Sequence, residues 1–161
     1  RYPIAMTSRI EVVLVVGAGW TGRQIAAQVA AHGIRTFLAD SNAAVLHAAM
    51  DQTMSYAQEQ VDAGTWRAEK LDSIGQHLQI IDDLNTATPA FSQALGLIVE
   101  TVTEQSSTKR KVLRDLSQRF PAPTIIVSNS SYFLPSQLSR YIQDASRFAH
   151  LHFHVPVAYA N

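Results

Sequence analysis

The 161-residue chain contains no cysteine, which excludes disulfide staples and thiolate zinc sites while leaving the redox compartment open. It has no excess of either charge: thirteen Lys and Arg balance thirteen Asp and Glu, with a pI near 7.2. No basic field is present of the kind that holds nucleic acid or anionic lipid, so neither is expected as a partner. Long apolar runs are missing as well. The longest aliphatic run, Val12 to Val16, falls far short of the roughly 18 apolar residues a membrane helix needs. Arg9 ahead of that run suggests a signal peptide, but Glu11 and the lack of a clear cleavage site argue against one. A cytoplasmic location is therefore the expectation.

No repeat, charge block or Pro/Gly/Ser-rich linker divides the sequence. With 47% hydrophobic residues, a chain of this length suits one globular domain that buries roughly 70% of its extended-chain surface. Met6-Thr7 could be a native start, so residues 1–9 read as an N-terminal extension, in part an expression remnant. Residues 10–161 read as the domain itself.

Short β-branched runs alternate with longer helical stretches, the pattern of βαβ units. The strand candidates are Val12 to Val16, Thr36 to Ala39, Leu78 to Ile81, Leu97 to Glu100, Thr124 to Val127 and Arg147 to Phe153. Most are continuously apolar, as expected where helices cover both faces of a parallel sheet. Gly22 to His32 reads as a helix with Gly33 at its stop position. Ala43 to Ala63 and Thr65 to Ile74 supply more helix than one crossover requires, so a helical hairpin is expected to protrude from the sheet edge. Thr108 to Phe120 reads as a helix with Val112, Leu113 and Leu116 inward and Lys109, Arg110, Lys111 and Arg114 mostly solvated. The fold class is thus α/β: a Rossmann-type, doubly wound, mostly parallel sheet.

Gly17-Ala18-Gly19-Trp20-Thr21-Gly22 follows the first strand directly and opens the first helix. That context turns a weak G-x-G-x-x-G match into a specific one. Gly17 allows a tight turn, Gly19 lets backbone approach a pyrophosphate, and Gly22 lets helix pack closely on strand. Amides at the helix start then face the anion. Such a motif needs a carboxylate at the end of the second strand, and Asp40 stands there, 23 positions after Gly17. It would accept hydrogen bonds from ribose hydroxyls and repel a 2′-phosphate, and Ser41 and Asn42 offer no arginine to reverse that. NAD is favoured over NADP. The competing reading of Asp40 is a helix N-cap.

Three later stretches narrow the class: Val99-Glu100-Thr101-Val102-Thr103-Glu104 with Lys109 beyond it, Ser128-Asn129-Ser130-Ser131, and Arg147-Phe148-Ala149-His150-Leu151-His152-Phe153. In order and spacing they resemble the nucleotide-binding domain of the L-3-hydroxyacyl-CoA dehydrogenase family, over about residues 10 to 157. The resemblance implies a Rossmann-type domain followed by an all-helical domain that forms a homodimer and closes over the substrate. It implies that His152 is the catalytic histidine and that Ser131 hydrogen-bonds the reacting oxygen. Glu104, Lys109 and Asn129 then line the cofactor and substrate cleft together with Ser131. An imidazole suits the first role because its ordinary pKa near 6.5 lets it accept and return a proton at neutral pH. By the residues alone, Ser128 to Ser131 is a polar loop after a strand, and Glu104 with Lys109 could equally be a solvated pair at a helix start.

Two positions depart from the family pattern. Val155 stands where an asparagine is usual and His150 where glycine is common. The acid that usually pairs with the histidine lies about a dozen residues beyond it, past Asn161. The chain is therefore expected to bind dinucleotide and to turn over poorly by itself. The implied substrate is a 3-hydroxyacyl-CoA or a small hydroxy acid. Ala43 to Ala63 contains no lysine or arginine to hold a triply phosphorylated carrier.

Two rival readings share some of these residues. His150, His152 and His154 alternate along the last predicted strand, so they would share a face and could ligate zinc. No cysteine or obvious carboxylate lies nearby in sequence, and no metal is assigned. A non-catalytic NAD-sensing module would carry the same glycine loop and Asp40, but would have no use for a base such as His152 beside Ser131. His32, His47 and His77 read as structural or solvated. Tyr132, Phe133 and Phe153 read as packing residues, and Trp20 as a residue that matters only through its backbone.

Overall fold

The computed structural model describes residues 9–86 and 88–157 of the chain; all but the last residue of the expected N-terminal extension lies outside them. Six strands form one sheet: β1 (Val12–Val16), β2 (Arg35–Ala39), β3 (Leu78–Ile81), β4 (Leu97–Glu100), β5 (Ile125–Ser128) and β6 (Phe148–His150), in the order β3-β2-β1-β4-β5-β6. Every pairing is parallel. The order reverses between β1 and β4, which creates the crevice where ligands of doubly wound folds sit.

The central strand shows why both faces must be covered. Val13 and Val15 join one apolar cluster with Ile25, Leu46 and Ile74, while Val12, Leu14 and Val16 join another with Leu113, Leu116 and Phe120. Side chains alternate across a strand, so a run of five aliphatic residues has no solvent face. Each fully buried Val or Leu contributes roughly 1.5–3 kcal/mol, and all five of these are buried.

Helices α1 (Trp20–Ala30), α2 (Ala43–Asp62) and α3 (Glu69–His77) pack on the first face. On the second lies α5 (Ser106–Arg119), with two short helices, α4 (Pro89–Ala94) and α6 (Pro135–Leu138), beside it. Two helices do follow β2, and both contact α1 as well as each other. The second starts later than Thr65 because Thr65 and Trp66 both donate backbone N–H bonds to the Gln60 carbonyl, making a turn that buries Trp66. The short α4, started by the Thr88 hydroxyl accepting from Phe91 N–H at 3.1 Å, had no sequence signal strong enough to stand out.

Three further expectations need correction. The last strand ends at His150, not Phe153. Its neighbour β5 stops at Ser128, whose carbonyl accepts from Leu151 N–H at 3.1 Å, and beyond that residue the chain finds no strand edge to pair with. Lys109 is not on the solvated face of α5 but 1% exposed. Tyr132 is no packing residue, being 78% exposed with its ring edge-on to Phe133.

Candidate functional site

The glycine loop joins β1 to α1 at the crevice. Gly17 has φ +107°, and a Cβ there would meet Thr101 at 2.8 Å. A Cβ on Gly22 would collide with the Gly17 carbonyl oxygen. Thr101, just past β4, closes the turn by donating its hydroxyl to the carbonyls of Val16 and Gly17 at 3.1 and 2.9 Å. Gly19 differs: a Cβ there meets nothing within 4 Å, so its missing side chain leaves open space over the backbone. That is the cradle a pyrophosphate requires, and α1 presents unpaired N–H groups to it. The loop thus fits a dinucleotide on its own geometry.

Asp40 is not a helix cap. Asn42 caps α2, accepting from Ala44 and Val45 N–H at 3.0 and 3.3 Å. The Asp40 carboxylate instead accepts from Ala18 N–H at 2.7 Å and Asn42 N–H at 2.8 Å. One side chain therefore fixes the glycine loop against the end of β2 and keeps lone pairs free toward the groove, since each carboxylate oxygen has two. The groove, of about 490 Å³, runs past Gly19, Thr21, Asp40 and Thr101. An apolar hollow walled by Ile81, Leu84, Val112 and Leu116 adjoins it at Asp40.

Trp20 does more than lend its backbone. It is 59% exposed on the groove wall, with its ring edge-on to Tyr56 of α2 at 6.4 Å, and Tyr56 meets Trp66 in the same way at 5.9 Å. Burial pushes the Tyr56 hydroxyl up to about 12, helped by the nearby Glu59 charge.

A second cleft, of about 380 Å³, shares Thr21, Thr101 and Val102 with the groove. Around it the structure brings together Glu104, Lys109, Asn129, Ser131 and His152 from four separate segments. Lys109 reaches back from α5 so that its ammonium lies 2.8 Å from Glu100 Oε1, 3.0 Å from Glu104 Oε2 and 3.1 Å from the Val102 carbonyl. Two carboxylates share one ammonium. Ser128 donates its hydroxyl to Glu100 at 2.6 Å, and Ser130 donates to Glu104. Burial alone would raise the Glu104 carboxyl, but the Ser130 hydroxyl, the Lys109 ammonium and the Tyr132 amide together hold it below its ordinary 4.5.

The polar loop after β5 therefore divides its work. Ser128 and Ser130 are buried and serve the carboxylates, whereas Ser131 is exposed in the cleft. Asn129 borders the cleft, but its amide oxygen is engaged by Phe153 N–H at 2.6 Å, which pins the His152 segment to β5. Behind it, Arg147 donates to the carbonyls of Phe120, Thr124 and Ser117 at 2.7 to 2.9 Å. Burial lowers its pKa; nearby Asp144 opposes that.

The zinc reading loses its premise, because the three histidines do not share one strand. His150 closes β6 with its ring edge-on to Phe148, and its Nε2 is buried without a partner among the described residues. Burial lowers its pKa, the charge of Glu100 opposing. His152 and His154 lie beyond the strand with ring centroids 4.6 Å apart. Among the described residues no group of three His, Asp or Glu side chains could hold a metal ion, and no helix is long and apolar enough to cross a membrane.

The sequence reading quoted Glu100, Ser128 and Ser130 within its motifs but gave them no role in the site. Glu100 carried a faint signal, an acid closing an apolar strand; the others carried none.

A parallel sheet in this order, with a glycine cradle at its switch point and an acid at the end of the next strand, defines a dinucleotide-binding domain of the dehydrogenase class. Residues 12–161 match the model of the 3-hydroxyacyl-CoA dehydrogenase NAD-binding domain, and the chain belongs to that family. Its cofactor is NAD. A probable 3-hydroxyacyl-CoA dehydrogenase of Caenorhabditis elegans is 32% identical over 148 residues, covering 90% of this chain and 49% of that protein. The 3-hydroxyadipyl-CoA dehydrogenase of Escherichia coli K12 is 26% identical over 151 residues, covering 94% of this chain and 31% of that one. Among solved structures, a diketoreductase superposes with a TM-score of 0.79 at 33% identity, covering 96% of this chain and 53% of its own. The chain thus spans between about a third and a half of the length of these relatives.

Proposed function

We propose that this chain, residues 10–161, is the cofactor-binding part of an NAD-dependent dehydrogenase that oxidises the hydroxyl of an L-3-hydroxy acid or 3-hydroxyacyl-CoA to the 3-oxo product. The observation that carries the reading is the continuity of the glycine groove with the cleft holding His152 and Ser131, through Thr21, Thr101 and Val102. Asp40 accepts the ribose hydroxyls, the amides at the start of α1 take the pyrophosphate, and the apolar hollow beyond Asp40 suits the adenine. The nicotinamide end then lies toward the cleft, where bound NAD supplies the hydride acceptor.

There His152 takes the proton of the substrate hydroxyl as the carbon–hydrogen bond gives up its electron pair, and Ser131 donates to the same oxygen. Glu104, held ionised by Lys109 and Ser130, fixes the loop that carries Ser131. A helical domain outside this chain would complete the site and support a homodimer, and a cytoplasmic setting fits the composition.

Titration with NADH and NADPH, followed by Trp20 fluorescence, tests the cofactor half. NADH should bind selectively and Asp40→Ala should weaken it; equal binding of NADPH would refute the role of Asp40. His152→Ala in the complete protein should abolish turnover while leaving NADH affinity unchanged. Retained turnover would remove His152 as the base.

A further inference from the structure

His154 has no part in the reading above, yet the backbone on either side of it is anchored. Phe153 N–H is fixed by Asn129 at 2.6 Å, and Val157 N–H by the buried Gln24 side chain at 2.8 Å. Val157 itself is fully buried against α1. Anchored at both ends, the intervening segment presents His154 and Val155 to the cleft, both exposed. The His154 ring lies 4.6 Å from that of His152, tilted by 49°.

The charges around the cleft make that placement consequential. The ammonium of Lys109, 1% exposed, is already divided between two carboxylates and a carbonyl. Among the described residues no other lysine or arginine lines the cleft. Glu104 is partly exposed and held ionised, so it repels an anion from its own wall. An acidic group brought in beside His152 therefore meets one further side chain able to donate to it and to carry positive charge, the imidazole of His154.

We propose that His154 is a specificity-determining residue that receives the free carboxylate of a short hydroxy acid whose hydroxyl sits at His152 and Ser131. The proposal rests on the dehydrogenase reading and selects within it. In a 3-hydroxy acid, the hydroxyl oxygen and the carboxylate carbon are three single bonds apart, a span comparable to the separation of the two rings. A thioester offers a neutral carbonyl at that point and gains only the smaller energy of an uncharged hydrogen bond.

The test uses the complete protein, with L-3-hydroxybutyrate and L-3-hydroxybutyryl-CoA as substrates and the variants His154→Phe and His154→Gln. The wild type should favour the free acid. Loss of a hydrogen bond to a charged group should raise KM for the acid by about tenfold or more in His154→Phe, with kcat falling by less than about threefold. His154→Gln, which keeps an N–H donor, should lose less, and NADH affinity should be unchanged in both. An unchanged KM for the acid, equal losses on both substrates, or a wild-type preference for the thioester would overturn the assignment.

A second arm needs no turnover: acetoacetate, which the NAD complex has no hydride to reduce, should bind the NAD complex of the wild type and bind that of His154→Phe at least several-fold more weakly. If neither substrate is oxidised but this difference persists, the dehydrogenase reading fails and the carboxylate site stands. If acetoacetate binds both proteins equally, the carboxylate site fails.

Discussion

Replacing Lys109 with methionine removes the cation that buried Glu100 shares with the partly exposed Glu104. Methionine matches the length of the aliphatic stem, so packing along α5 is kept and the perturbation is electrostatic. Glu100 is fully buried and accepts from the Lys109 ammonium at 2.8 Å, from Val102 N–H at 2.8 Å and from Ser128 at 2.6 Å. The variant leaves this buried carboxylate without a cation, and breaking a buried pair in this way costs about 3–5 kcal/mol. For a domain of this size that lowers Tm by about 6–20 °C. Urea denaturation of the wild type, Lys109→Met, Glu100→Gln and the double variant measures it. The double variant should cost less than Lys109→Met alone, because a neutral amide at position 100 leaves no unpaired charge and still accepts from Ser128. If Lys109→Met stays within about 2 °C of the wild type, or the two single costs add without coupling, the network does not hold the loops as described.

Two glycines of one motif should answer alanine differently: Gly22→Ala, which meets the Gly17 carbonyl, should lower Tm, whereas Gly19→Ala, which meets nothing, should leave Tm unchanged and weaken NADH by about tenfold or more by filling the pyrophosphate cradle. Titration calorimetry beside thermal melts separates the two. Glu104 has its pKa lowered in the folded chain, so its stabilisation is present above the ordinary carboxylate value and lost as pH falls through the folded one. Denaturation midpoints below about pH 4.5 should accordingly drop faster in the wild type than in Glu104→Gln. His150 is likewise lowered, by burial, so folding favours its neutral form and stability declines as pH falls from about 6.5 through the folded value. His150→Gln should remove that part of the slope, and an unaltered slope would show that the ring is not desolvated. Arg147→Met, which strands buried carbonyls of Phe120, Thr124 and Ser117, should destabilise by about 3–5 kcal/mol in urea.

Local rules made the glycine loop legible, because a tight turn between strand and helix demands glycine wherever it occurs, and Gly17 does take a positive φ. The same holds for β1, whose five aliphatic residues can only be buried on both sides. The division of labour within Ser128 to Ser131 was not legible. Four small polar residues in a row carry no mark of which hydroxyl turns inward, and that choice depends on carboxylates 26 and 28 positions away in the chain. Lys109 misled for a related reason: helical periodicity places it by angle alone, and a long flexible stem can carry its charge into the interior where acids wait.

By itself, the sequence determined the order of the six strands and of the longer helices, the cradle for a dinucleotide and the acid that faces it, since each depends on a few adjacent residues and on backbone geometry. Tertiary structure alone decided the rest. It brought Glu100, Lys109, Glu104 and the serines into one network, ended β6 at His150 where its neighbour ran out, and fixed His154 beside His152 through Asn129 and Gln24. Hydrogen bonds and charges act through space over a few ångströms, and the chain brings distant residues within that range only when the sheet is assembled.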